Sequence, residues 1–182
     1  MGAVLLVLAL LAGCSGRRQE LDRIMALRGK LLSGGCSFDA AVTADYLTRT
    51  EAFGMHCQAD GEGNLTFTVT RPETIAGITG TVRHGDGRLT FADTALAFEL
   101  LADGEVSPVG APWIFLQALR GGYLTSCGMD GELLRAAVDD SYDADALHLD
   151  VWFGEGDTPC RADITWKERR ILSVEIENFT LE

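Results

Sequence analysis

His56 and Cys57, two residues that could make a thiol catalyst, stand side by side in the segment EAFGMHCQAD. A catalytic cysteine needs its histidine within hydrogen-bond reach and an electropositive niche. Adjacent side chains on a strand point to opposite faces, so this pair cannot meet. No Gly-x-Ser-x-Gly is present to raise a serine nucleophile on a strand-to-helix turn. His56, His84 and His148 are scattered, with no Cys-x-x-Cys or His-x-x-x-His spacing for zinc. Asp139, Asp140, Asp143 and Asp145 cluster, but without the glycine and distal glutamate of a calcium loop, so they read as a solvated turn. The sequence therefore assigns no catalytic residue, no metal and no cofactor, and the expectation is a protein that is not an enzyme.

Charge narrows the partners. The 182-residue chain carries a formal net charge of −12, which repels phosphate backbones, so no nucleic-acid partner is expected. Apolar residues make up 47% of the chain, enough for a sizeable core in a single domain.

One sulfur remains with a telling context. The apolar run from Ala3 to Ala12 is half the length of about 20 residues that a bilayer span needs. It suits the hydrophobic part of a secretory signal. Its end, Leu11-Ala12-Gly13-Cys14, resembles the lipobox of bacterial lipoproteins. The resemblance implies a diacylglyceryl group on the Cys14 sulfur, cleavage between Gly13 and Cys14, and acyl chains such as palmitate that hold the chain on the extracytoplasmic side of a membrane. Two or three acyl chains give stable anchoring where one does not. The expected division is a signal peptide over residues 1–13, a lipidated cysteine and short tether over 14–18, and a folded domain over 19–182. The alternative is a core helix with an incidental cysteine.

Export would place Cys36, Cys57, Cys127 and Cys160 where disulfides are permitted. Four cysteines allow three pairings. Cys36 with Cys57 and Cys127 with Cys160 close the shorter loops and are favoured; four buried thiols are the alternative.

The elements around these residues follow from periodicity. In RRQELDRIMALRGKLLS, Leu21, Ile24, Met25, Leu27, Leu31 and Leu32 recur at helical spacing, predicting an amphipathic helix from about Gln19 to Ser33, stopped by Gly34-Gly35. From Cys36 the period changes to two. Phe38, Ala40, Val42, Ala44 and Tyr46 share one face of a strand, Leu65, Phe67 and Val69 one face of another, and Leu147, Leu149, Val151 and Phe153 a third. Ala162, Ile164 and Trp166 alternate likewise. One helix interrupts the strands, in SPVGAPWIFLQALRGG, with Pro112 near its start and Gly121-Gly122 past its end. About ten strands with short connections predict an antiparallel sheet, and a sheet that wide curls under its own twist. The fold class is thus mainly β (α+β), a curved antiparallel half-barrel with the N-terminal and mid-chain helices covering its concave face.

This order resembles the LolA/LolB and RseB-like half-barrel lipoproteins and their Gram-positive relatives. The match is carried by the helix leading into FDAAVTADY, the strand and return in LTFTVTRPETIAGI, the helix SPVGAPWIFLQAL, and the final hairpin ADITWKERRILSVEIENF. It implies an apolar cavity for a lipid or acyl chain. Phe38, Val42, Tyr46, Phe67, Val69 and Trp113 are candidate lining residues, with Leu116, Leu149, Val151, Phe153, Ile164 and Trp166. The expected function is a membrane-anchored envelope lipoprotein binding an acyl chain or a lipidated partner. The alternative is a protein–protein interaction module with a filled core.

Overall fold

The computed structural model describes residues 2–46, 49–91, 94–98, 101–102, 105–143 and 146–182, with side chains from Arg18 onward except at 91, 98, 101, 102 and 105. Cys14, the rest of the lipobox and the apolar run before it lie outside the described side chains. Asp145 lies outside the described residues.

The chain begins with helix α1, Gly2–Ser33. The helix is longer than the Gln19–Ser33 stretch its periodicity marks, and its backbone includes residues 14–18. Of its six apolar positions, Ile24, Leu27 and Leu31 are buried, at i, i+3 and i+7. Leu21, Met25 and Leu32 are exposed, because the helix offers the core a stripe narrower than its apolar arc.

Two meanders make the sheet. The first contains β1 (Cys36–Asp45), β2 (Thr50–Ala59), β3 (Leu65–Arg71), β4 (Thr79–Arg83), β5 (Asp86–Phe91) and β6 (Thr94–Phe98). A two-strand hairpin, β7 (Leu101–Ala102) and β8 (Glu105–Val106), leads into helix α2, Ala111–Gly121. The second meander contains β9 (Tyr123–Asp130), β10 (Leu133–Asp139), β11 (His148–Phe153), β12 (Pro159–Trp166) and β13 (Arg169–Leu181). Antiparallel pairing of β1 with β13 joins them into an eleven-stranded open sheet, β6-β5-β4-β3-β2-β1-β13-β12-β11-β10-β9.

Turn chemistry sets the register. His84-Gly85 and Lys167-Glu168 each form a two-residue hairpin loop with positive φ at both positions. That conformation matches the right-handed strand twist. Arg169 and Arg170 thus belong to β13, and the polar turn is shorter than KERR suggests.

The alternation puts Val42, Val151, Ala162 and Val174 on the inner face, all fully buried. Gly80 is paired directly with Phe67, whose ring lies so close that a Cβ at Gly80 would sit 2.1 Å from its Cζ. A bulge near the end of β13 reverses its alternation there. Asn178 has φ 53° and the β1–β13 register shifts beside it, so Ile176 and Phe179 both turn inward. Phe179 then stacks on Phe38 at 5.9 Å, and Phe115 of α2 meets Phe38 edge-on at 5.7 Å.

Candidate functional site

Helix α2 is the mid-chain element that covers the inner face. Pro112 occupies its first turn, where a missing N–H costs nothing, and Gly122 follows its last residue. Ile114, Phe115, Leu116, Ala118 and Leu119 are buried against the sheet and α1. Two arginines fix its C-terminal end. Arg28 of α1 donates from Nε to the Leu119 carbonyl at 2.8 Å and from Nη2 to the Gly122 carbonyl at 2.9 Å. Arg120 donates to the carbonyls of Leu31 and Gly61. Burial lowers the Arg28 pKa from its ordinary value, yet the guanidinium stays charged against the negative end of the α2 dipole. Gln117 donates from Nε2 to the Gly63 carbonyl at 2.9 Å, tying the helix to the β2–β3 turn.

The inner-face candidates converge on one core. Phe38, Val42, Phe67, Val69, Leu116, Leu149, Val151, Phe153 and Ile164 are each at most 3% exposed. Tyr46, Trp113 and Trp166 pack against them, partly buried. Trp113 differs from the rest in two respects. Its indole N–H is buried with no hydrogen-bond acceptor among the described residues, and the residue borders an open groove along α2.

That groove encloses about 360 Å³, and Trp113, Ile114, Gln117, Ala118, Gly121, Gly122 and Asp140 line it. Its floor is low because the helix presents small residues. A Cβ at Gly121 would meet nothing within 4 Å. The sequence reading included Trp113 here but missed Gln117, Gly121, Gly122 and Asp140. The legible signal was the spacing of Ala118, Gly121 and Gly122, three and four residues apart on one side of a helix.

The outer face is polar and internally paired. Asp39 accepts from Asn178 Nδ2 at 2.7 Å and lies 2.8 Å from His56 Nδ1. These contacts, the Asn178 bond first, hold its carboxyl below the ordinary range. Burial pushes the Asp163 carboxyl up, but bonds from Arg161, Ser173 and Arg170 outweigh it and hold the group low. Trp152 lies between the guanidiniums of Arg161 and Arg135, 4.7 and 5.7 Å from the ring centroid. His56 faces out and Cys57 is fully buried, so the adjacent pair stays apart. The acidic turn is used structurally. Asp139 contacts His148 at 2.7 Å, and Asp140 accepts the Leu147 N–H. Among the described residues no group of three His, Cys, Asp or Glu could hold a metal ion. Also among the described residues, no helix is long and apolar enough to cross a membrane.

The structure forms neither favoured disulfide: the four cysteines Cys36, Cys57, Cys127 and Cys160 are thiols. Cys127 on β9 and Cys160 on β12 have β10 and β11 between them, so three inter-strand steps of about 4.8 Å hold them apart. Cys36 and Cys57 are diagonal on neighbouring strands, since Cys36 pairs with Ala59 and Cys57 with Phe38.

No protein-family model and no curated protein matches the sequence. Solved structures do match. A DUF1329 family protein from Desulfovibrio piger is 9% identical, with 92% of this chain and 93% of that chain covered at a TM-score of 0.51. A putative outer membrane lipoprotein-sorting protein domain from Vibrio parahaemolyticus is 8% identical, covering 87% and 91%, at 0.49. A LolA superfamily protein from Nitrosomonas europaea is 8% identical, covering 92% and 94%, at 0.46. The first of these likenesses carries the architecture: this chain has the open antiparallel half-barrel, with helices on its concave face, that its sequence pattern resembles.

Proposed function

We propose that this chain is a membrane-anchored, non-enzymatic lipoprotein of the bacterial cell envelope that holds an acyl chain, of a lipid or of a lipidated partner, in the groove along α2. In this reading residues 1–13 are removed on export and Cys14 carries the anchor. The domain then faces the extracytoplasmic side.

The observation that carries the reading is the groove itself, about 360 Å³ over Ile114, Ala118 and Gly121. Each methylene buried there would contribute about 0.8 kcal/mol, so an acyl chain binds without a dense set of polar contacts. Trp113 supplies one wall, and the packed core behind it supplies rigidity. The groove lies outside the filled interior that the other eleven lining candidates occupy.

The test uses Gly121, whose missing side chain leaves open space. Gly121→Leu fills the groove without a clash and replaces a poor helix former. The full chain is expected to take up a fluorescent sixteen-carbon fatty acid, and Gly121→Leu to weaken uptake at least tenfold at unchanged melting temperature. No uptake by the unaltered chain would overturn the proposal.

A second reading is favoured by the filled interior. Among the described residues, strands β6 and β9 end the sheet without a neighbouring strand, and such an edge can take a strand from another envelope protein. Unchanged fatty-acid uptake in Gly121→Leu, or none in either form, together with capture of a partner through β9, would select it.

A further inference from the structure

The outward side of α1 carries an apolar stripe that the fold does not use. Leu21, Met25 and Leu32 are 39%, 47% and 54% exposed. At 100° per residue they fall within about 40° of one another around the helix axis. Gly29 lies beside them, and a Cβ there would meet nothing within 4 Å. No described residue covers the stripe. It adjoins the arc of Ile24, Leu27 and Leu31, with Arg28 at the seam between them, so α1 has one apolar stripe on the core and one that is bare.

We infer that this bare stripe lies on the surface of the same bilayer that holds the Cys14 anchor. The inference rests on the lipoprotein reading of Cys14. Three observations choose the bilayer as occupant. First, the part of α1 that remains after cleavage before Cys14 is helical backbone from residue 14 to Ser33, so Cys14 lies about two helical turns before Leu21. An acyl group on Cys14 therefore fixes where the stripe goes. Second, Cys14, Leu21, Met25 and Leu32 are spaced by seven, four and seven residues, which keeps all four positions on one side of the helix over about 27 Å. Third, the exposed Arg18 falls between Cys14 and Leu21, where a cation meets phosphate headgroups and its stem reaches over apolar surface. α1 is also the basic element of an acidic chain, with Arg17, Arg18, Arg23, Arg28 and Lys30 against Glu20 and Asp22 within a net charge of −12.

An acyl anchor and an amphipathic stripe are the two membrane signals that together give stable attachment. They also hold the half-barrel in one orientation, with α1 beneath it.

The test places a photoreactive benzoylphenylalanine at Met25, and in a second chain at Thr68 on the outer face of the sheet. Each full-length protein is irradiated in membranes of the bacterium that produces it. Phospholipid adducts at position 25 and none at position 68 are the expected result. Adducts at position 25 to another protein or to a second copy would overturn the inference, as would none, or equal lipid adducts at both positions. The mass of the N-terminal peptide reads the anchor separately: a peptide without a diacylglyceryl group overturns the lipoprotein reading itself, whatever the adducts show.

Discussion

Arg28 Nε lies 2.8 Å from the carbonyl oxygen of Leu119, 91 residues further along the chain. The bond crosses from α1 to the last turn of α2, where carbonyls have no partner within their own helix. The same guanidinium reaches Gly122 at 2.9 Å. A planar fork can hold both carbonyls at once, whereas an ammonium is a point charge. Arg28→Ala should therefore cost about 2 kcal/mol, the usual range for hydrogen bonds from a charged donor. Arg28→Lys should restore less than half of it. Urea unfolding with the slope held constant measures both changes. Loss of under 0.5 kcal/mol in Arg28→Ala would mean that α2 is held by its apolar face alone.

Trp113 poses the opposite case, a buried donor with no acceptor among the described residues. Such a group carries a desolvation penalty of about 1–3 kcal/mol. Trp113→Phe removes the N–H and keeps most of the ring, so stability should stay level or rise by up to about 1 kcal/mol. Trp113→Ala removes the ring as well and should cost about 3 kcal/mol. The two melting temperatures, taken side by side, separate the ring from its polar atom. A large loss in Trp113→Phe would show that the N–H is bonded in solution.

Period-two alternation was enough to identify the inner face of β1, β3, β11 and β12, because one side of each strand meets the core and the other meets water. The same rule could not anticipate Asn178. A bulge changes the parity of every residue after it, and Phe179 faces inward only because Asn178 takes a left-handed conformation. Helical periodicity placed α1 but not its depth, since Leu21 and Ile24 look equivalent until the sheet rim is known. TALAFELLADGEV holds a turn signal in Asp103-Gly104, but β7 and β8 are two residues each and too short to show a period, so β6 to β8 are not legible as strands. Aromatic and aliphatic residues pointed to the interior, where the core is filled, while the groove is made by residues that are small. A missing side chain leaves little trace in hydropathy.

The thiols should divide by burial. Burial raises the Cys36 pKa to about 11 and pushes Cys57 up as well, so neither presents much thiolate at pH 8. Both are also 1% exposed or less. Cys127 and Cys160 are only partly buried. Iodoacetamide at pH 8 should label Cys127 and Cys160 on the folded protein and leave Cys36 and Cys57 for the urea-unfolded chain. Four adducts on unfolding without reductant are expected, the fifth cysteine, Cys14, having its sulfur taken by the proposed anchor. A mass two units low with two unlabelled cysteines would instead reveal a disulfide.

Acid should find the outer face first. Asp39 and Asp163 both titrate below the ordinary carboxylate value of about 3.9 when folded. The unfolded chain therefore binds protons that the folded chain does not, and stability rises with pH across that interval. The contribution is complete above the unfolded value and is lost as pH falls through the depressed one. Protonating Asp163 breaks an ion pair with Arg161 at 2.6 Å and another with Arg170 at 3.2 Å, on a residue only 8% exposed. Asp163→Asn keeps the shape and removes the charge. It should lower stability at pH 7 and flatten the decline between about pH 5 and pH 2, measured by urea midpoints across that range. An Asp163→Asn curve parallel to that of the unaltered protein would move the acid sensitivity to Asp39, whose partners His56 and Asn178 sit on the neighbouring strands β2 and β13.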